Sequence, residues 1–269
     1  NTADDIEIYG AYVSPDPDLC TFWLADLIDE RGWGLRDDSF AVMDALRDLG
    51  RDVWFQLGDR DLAIGIERSR RLGEGASLTE TLAELGAALG VGGRVLPMSD
   101  APVRTWVQAR DAWTPFQEFM IRAGGEGPID DMQLRGIDEA RATPEALEAI
   151  ASADAIVVGP SNPVISIGPI LAVPHMRQAM IDSSAPVVAV SPVVDGAIVK
   201  GPTEAFMRWA GYALSTDAIA ATYAGVIDGL VADEAVDGVP VLRTDTLMRD
   251  AGDRRRVAEE TLRFAEALG

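Results

Sequence analysis

Two periodicities of apolar and polar positions organise the chain. From Ile6 to Val13 the alternation predicts a strand, which Ser14-Pro15-Asp16-Pro17-Asp18 stops with turn and N-cap chemistry. Apolar residues then recur at helical spacing from Leu19 to Ile28 and from Ser39 to Leu49, and a further helix is predicted from Asp61 to Leu72. Ser77-Leu78-Thr79-Glu80 is a capping box: the serine caps an early amide while the glutamate reaches back, which predicts a helix to about Leu89. The pattern then changes. Arg94–Pro97, Val103–Ala109 and Phe116–Ile121 read as short strands separated by Pro, Gly and Asp, a small β-rich excursion within 94–140.

The second half repeats a strand, loop and helix. A helix opens at Thr143-Pro144-Glu145, with proline at its tolerated first position. Ala155–Gly159 and Pro186–Val190 are short apolar strands, with a helix around His175–Ile181 between them; Gly225–Val231 and Val239–Arg243 add two more strands, and Asp250–Leu268 closes with an amphipathic helix. Apolar strands alternating with helices predict an α/β fold, a three-layer αβα Rossmann-like domain over 1–269 with a mostly parallel sheet. Ligands of such sheets bind beyond the carboxyl ends of the strands, so the loops after Asn1, Val158, Val190 and Arg243 are the ones to inspect.

Composition narrows the function. The 269 residues carry 23 basic and 44 acidic side chains, a net charge of -21, which argues against nucleic acid or an anionic membrane as partner. Lys200 is the sole lysine, and this acidic, lysine-poor balance reads as a halophilic surface of hydrated carboxylates. One cysteine and one histidine exclude a disulfide framework and any site built on two imidazoles. A metal would therefore be held by oxygen, and magnesium is the natural guest. Proline, Ser161 and Asn162 interrupt the most apolar stretch, Ala155–Pro174, and no charged segment precedes an apolar one at the start, so a cytoplasmic protein is expected.

Four places could carry chemistry. The loop Gly159–Leu171 sets Ser161, Asn162, Ser166 and backbone amides directly after a buried strand, where they could cradle a phosphate or a base, although a proline-stiffened connector has the same look. Ser191-Pro192 and Lys200-Gly201-Pro202 form a second loop system; Lys200 is either a phosphate contact or a surface survivor. Asp4-Asp5 and Asp16-Pro17-Asp18 are acidic clusters that fit either Mg²⁺ or a merely acidic surface. Gly58-Asp59-Arg60-Asp61 opens a helix with Arg60 between two acids, an ion-paired helix start or a ligand contact.

Taken in order, Ser14-Pro15-Asp16-x-Asp18, Gly32-Trp33-Gly34, Leu57–Asp61, Leu96–Asp100, Gly159–Leu171, Ser191-Pro192, Lys200-Gly201-Pro202 and Asp245–Met248 resemble the 2-phospho-L-lactate transferase family over essentially the whole length. The resemblance implies transfer of a phospholactyl or phosphoenolpyruvyl group from a guanosine-diphosphate-linked donor to the deazaflavin Fo, with Mg²⁺ and release of GMP, in the making of coenzyme F-420. It implies Asp4 and Asp18 as the metal-binding, catalytic carboxylates. Asp18 and Gln56 would lie near the deazaflavin, with Arg60 among the substrate contacts. Ser161, Asn162, Ser166, Ser191 and Lys200 would face the guanosine diphosphate, and the family's habit implies a homodimer. Departures from the family pattern are Leu19 and Ile64-Gly65 where it has Thr and Thr-His, Gln56 where it has a basic residue, and no counterpart in 1–269 of its first strand and glycine-rich phosphate loop. The competing expectations are a non-catalytic nucleotide-sugar-binding regulator of the same fold, which lacks the Leu57–Asp61 and Pro97–Asp100 strings, and a generic dinucleotide-binding protein, which would need a GxGxxG.

Overall fold

The Ile6–Val13 segment is a hairpin in place of one strand. In the computed structural model, which describes residues 1–125, 127–198 and 202–269, β1 (Ile6–Ile8) pairs antiparallel with β2 (Ala11–Val13). Tyr9 and Gly10 turn the chain with φ of 53° and 81°, the left-handed geometry that a two-residue hairpin demands. Helices α1 (Pro15–Leu24), α2 (Ala41–Asp48), α3 (Asp59–Gly73) and α4 (Leu78–Ala88) follow, and the Ser77–Glu80 capping box forms as expected. Leu62 of α3 packs with Ala11 and Val13 of β2 and with Met43, Phe55 and Leu57, each buried side chain contributing about 1.5–3 kcal/mol.

The β-rich excursion has the strands β3 (Arg104–Ala109), β4 (Ala112–Pro115) and β5 (Asp131–Arg135) in the order β4-β3-β5. Two expected strands are corrected. Arg94–Pro97 has no strand pairing, and Phe116–Ile121 belongs to a helix, α5 (Phe116–Arg122), which follows directly on Pro115 and buries Phe119. The apolar run gave no period by which to separate strand from helix. Arg135 stacks over Trp106 at 3.8 Å and lies 5.5 Å from Trp113, tying β5 to β3 and β4.

The remaining elements are α6 (Pro144–Ala151), β6 (Ile156–Val158), a π-helical turn (Pro163–Ile167), α7 (Gly168–Ala172), α8 (Met176–Asp182), β7 (Val187–Val190), the short antiparallel pair β8 (Val193–Val194) and β9 (Ala197–Ile198), α9 (Thr203–Trp209), α10 (Thr216–Thr222), β10 (Gly229–Ala232), β11 (Val241–Arg243) and α11 (Ala251–Leu268). Among the described residues, β11-β10-β7-β6 form a four-stranded sheet, parallel throughout. Alternate residues of its central strands serve opposite faces: Val187, Ala189, Leu230 and Ala232 pack with Met180, Met207, Ile219 and Tyr223, whereas Val188, Val190 and Val231 pack with Val257, Ala265 and Phe264 of α11.

The chain divides into two compact units. Unit 1 comprises 1–107, 113–125 and 132–143, and unit 2 comprises 108–112, 126–131 and 144–269. The fold is thus α/β with mixed sheets. The expected mostly parallel sheet is confined to unit 2, because the strands of 1–143 form a hairpin and a three-stranded sheet of their own. No single helix among the described residues is long and apolar enough to cross a membrane.

Candidate active site

In unit 1 the candidate site begins on one face of α3. Asp61 and Arg68 are seven residues apart, two helical turns, and therefore share that face. Arg68 is fully buried; its Nη1 donates to the Tyr12 carbonyl of β2 (2.8 Å), and both terminal guanidinium nitrogens reach the Asp18 carboxylate of α1. The Asp18 carboxylate also accepts from the Ser14 amide at 3.3 Å. Burial pushes Asp18 upward while Arg68 and these hydrogen bonds pull it back.

The Gly58–Asp61 string is built for two helix starts at once. Asp38 caps α3 by accepting from the amides of Arg60 (2.9 Å) and Asp61 (3.1 Å), and a Cβ on Gly58 would overlap that carboxylate. Asp59 in turn caps α2, accepting from the amides of Ala41 (3.0 Å) and Val42 (2.9 Å) and from Ser39 Oγ (2.6 Å). Arg60 points outward, exposed, and donates to the Arg36 carbonyl at 3.1 Å.

This frame opens on a cavity of about 340 Å³ lined by Asp18, Leu19, Phe22, Trp33, Trp54, Phe55, Gln56 and Asp61 among others. Gln56 has its side-chain oxygen held by Arg47, and Arg60 is not among the lining residues. Aromatic walls with few polar groups suit a flat ring system. Asp61, half-buried, is pushed up to about 7 by burial and by the charges of Asp18 and Asp38, with Arg68 opposing.

Asp4 lies in a second concavity of unit 1, with Asp5, Arg104 and Gln117. Its two oxygens accept one long amide bond each, 3.3 Å from Asn1 and 3.3 Å from Gln117. Burial and the nearby charges of Asp16 and Asp5 push it well above the ordinary carboxylate range, with the N-terminal ammonium and its own backbone amide opposing. Asp5 is tied into the wall: Ser14 Oγ donates to Oδ1 (2.8 Å), Tyr12 OH to Oδ2 (2.9 Å), and Arg104 to the Tyr12 oxygen (3.0 Å). Burial still pushes Asp5 to about 7.

Unit 2 carries a cavity of about 490 Å³ beyond the carboxyl ends of β6 and β7, lined by Ser161, Asn162, Ser166, Ser191, Thr203 and Thr246 with apolar neighbours. The four expected serine and asparagine positions do come together there, but they divide the work. Asn162 Oδ1 accepts from the amides of Val164 (2.8 Å) and Ile165 (3.2 Å), and its Nδ2 reaches Thr203 Oγ1 (3.2 Å), so Asn162 shapes the π-helical turn. Ser191 is buried and its Oγ accepts from the Val193 amide at 3.1 Å, shaping the next loop. Ser161 and Ser166 are the more accessible pair. Lys200 lies outside the described residues.

Arg68 and Thr246 are site residues that the sequence did not single out by themselves, whereas Asp61 was legible as one of the two acids of the Gly58–Asp61 string. Arg68 is one of three arginines in Arg68–Arg71, and only packing shows which turns inward. Thr246 was visible solely as part of the Asp245–Met248 string; its hydroxyl is buried with no hydrogen-bond partner among the described residues.

The profile of the family described as 2-phospho-L-lactate transferase CofD matches residues 1–262. A 2-phospho-L-lactate transferase of Methanosarcina mazei is 37% identical, aligning 96% of this chain with 88% of its own length. A phosphoenolpyruvate transferase of Kitasatospora aureofaciens is 36% identical, covering 100% of this chain and 88% of its own. A Bacillus halodurans protein of known crystal structure shares the fold, with a TM-score of 0.58 at 18% identity over 92% of this chain and 84% of its own. On these matches the chain belongs to the 2-phospho-L-lactate transferase CofD family.

Proposed function

We propose that this chain is the transferase that moves a phospholactyl or phosphoenolpyruvyl group from a guanosine-diphosphate-linked donor to the ribityl hydroxyl of the deazaflavin Fo, releasing GMP. The observation that carries the reading is the aromatic cavity of unit 1, whose Phe22, Trp33, Trp54 and Phe55 suit a flat deazaflavin, in a chain that matches the family throughout. Trp and Phe faces supply stacking area, while Gln56 and Asp61 offer the few polar contacts that would orient the ring and its side chain. The neutral cavity of unit 2 is the candidate nucleotide site. Ser161 and Ser166 would meet the guanylate there, in loops held by Asn162 and Ser191.

Mg²⁺ would be held by Asp4. This buried carboxylate accepts side-chain bonds of 3.3 Å from Asn1 and Gln117, and the negative charges of Asp16 and Asp5, which the N-terminal ammonium offsets in part, are what a divalent ion would relieve. Such an ion is commonly held by one or two carboxylates together with substrate phosphates. Bound there, it would neutralise charge on the transferring phosphoryl group. Asp18, both of whose oxygens Arg68 occupies, serves instead as a fixed wall of the acceptor cavity.

The test is direct: the full-length protein is incubated with Fo, Mg²⁺ and each guanylylated three-carbon donor, and products are read by mass and by GMP release. One adduct per GMP is the expected result. Absence of adduct with every donor, with tight binding of a uridine-diphosphate sugar instead, would overturn the reading in favour of a regulator.

A further inference from the structure

Three polar side chains line the aromatic cavity of unit 1, and they differ in what remains free on them. The Asp18 carboxylate is taken by Arg68 and the Ser14 amide, and the Gln56 side-chain oxygen by Arg47. The Asp61 carboxylate accepts no hydrogen bond among the described residues, while its own backbone amide is spent on Asp38. A half-buried carboxylate with no donor, in a cavity whose other acceptors are spoken for, is the atom pair left for a donor on the ligand.

We propose that Asp61 is the general base of the transfer, accepting first the hydrogen bond and then the proton of the acceptor's attacking hydroxyl. The proposal rests on the function proposed above. In the step, the acceptor oxygen forms a bond to the phosphorus remote from guanosine. The bond from that phosphorus to the bridging oxygen breaks, its electron pair leaves with GMP, and the hydroxyl proton moves to Asp61 Oδ. No further reactant is needed.

The surroundings suit the task. Asp61 sits in the first turn of α3, held by the Asp38 cap, so its position is set by backbone and not by a long flexible stem. The charged groups that face it are Asp18 from α1, Asp38 from the loop ahead of α2, and Arg68 from its own helix. Burial, first, and then Asp18 and Asp38 discourage ionisation, while Arg68 favours it; together they bring the carboxyl's proton affinity near neutrality, where a base is most effective.

The experiment compares the full-length wild type with Asp61→Asn and Asp61→Glu. Fo affinity is followed by the deazaflavin's fluorescence, and kcat by GMP release, both across pH 5.5–9. For Asp61→Asn we expect kcat to fall by roughly 10²–10⁴-fold and the acid limb of its pH profile to vanish, with Fo affinity at pH 6 within about threefold of wild type. Asp61→Glu should recover part of the rate and keep the limb. Fo affinity should rise with pH through about 7 in the wild type and stay flat in Asp61→Asn, a readout independent of turnover. A wild type that shows this binding profile without forming product would count against the transferase reading and for Asp61 as the group that meets the acceptor hydroxyl. Identical binding profiles in the two proteins, or an Asp61→Asn variant keeping kcat within about twofold and the acid limb, would overturn the assignment.

Discussion

The two cavities solve recognition with opposite materials. In unit 1 most of the polar groups are carboxylates: Asp18 buried against Arg68, Asp5 buried against Tyr12 and Ser14, and half-buried Asp61 facing an aromatic wall, with Gln56 the uncharged exception. In unit 2 the described lining residues carry no charge at all, and the loops are held by amides and hydroxyls, Asn162 on two backbone N–H groups and Ser191 on one. Charges in a dry wall are costly unless paired, so unit 1 stores its sensitivity in ion pairs and proton affinities. A neutral loop has no such dependence and should respond to the loss of single hydrogen bonds instead.

The sharpest way to break this contrast is Arg68→Met. Removing the guanidinium leaves Asp18 buried and uncompensated, and denaturant unfolding should show a loss of about 3–5 kcal/mol. Adding Asp18→Asn should recover part of it; equal losses in the single and double variants would contradict the pairing argument. Next in size is Asn162→Ala. The π-helical turn loses a cap worth about 1–2 kcal/mol, and guanosine nucleotide affinity should fall while Fo affinity is unchanged, as read by calorimetric titration of both ligands.

A separate effect is expected from pH. Asp5 and Asp61 bind protons more tightly in the folded chain, near 7, than when unfolded near 3.8. Between those values the native state holds more protons, so their contribution to stability is complete below about 4 and is lost as pH rises through 7. Thermal unfolding followed from pH 5 to 8 should show this decline, less steep in Asp5→Asn; an unchanged slope in that variant would remove Asp5 from the account.

The contrast also marks what sequence could reveal. Capping at Ser77–Glu80, proline at the start of α6 and the apolar strands β6, β7, β10 and β11 were legible, because each is a local signal. Unit 2's candidate site was legible for the same reason: Ser161, Asn162, Ser166 and Ser191 lie in two loops at strand ends. Unit 1 was less so. Asp18 and Arg68 are fifty residues apart, and nothing local distinguishes Arg68 from Arg70 and Arg71, whose partners are glutamates on the surface. Asp38 and Asp59, each capping the other's neighbouring helix, are likewise a tertiary exchange that no capping signature within one helix could disclose. The pairing of Ile6–Ile8 with Ala11–Val13 turned on a Tyr-Gly step with positive φ, a weaker turn signal than Asn-Gly.

The claim that each unit reads its own ligand is tested most directly by measuring Fo and GDP dissociation constants on three proteins, the wild type, Trp54→Ala and Ser166→Ala. The account predicts Fo binding weakened about tenfold or more by Trp54→Ala alone, and GDP binding weakened several-fold by Ser166→Ala alone. Trp54→Ala weakening GDP as much as Fo, or Ser166→Ala weakening Fo, would contradict it.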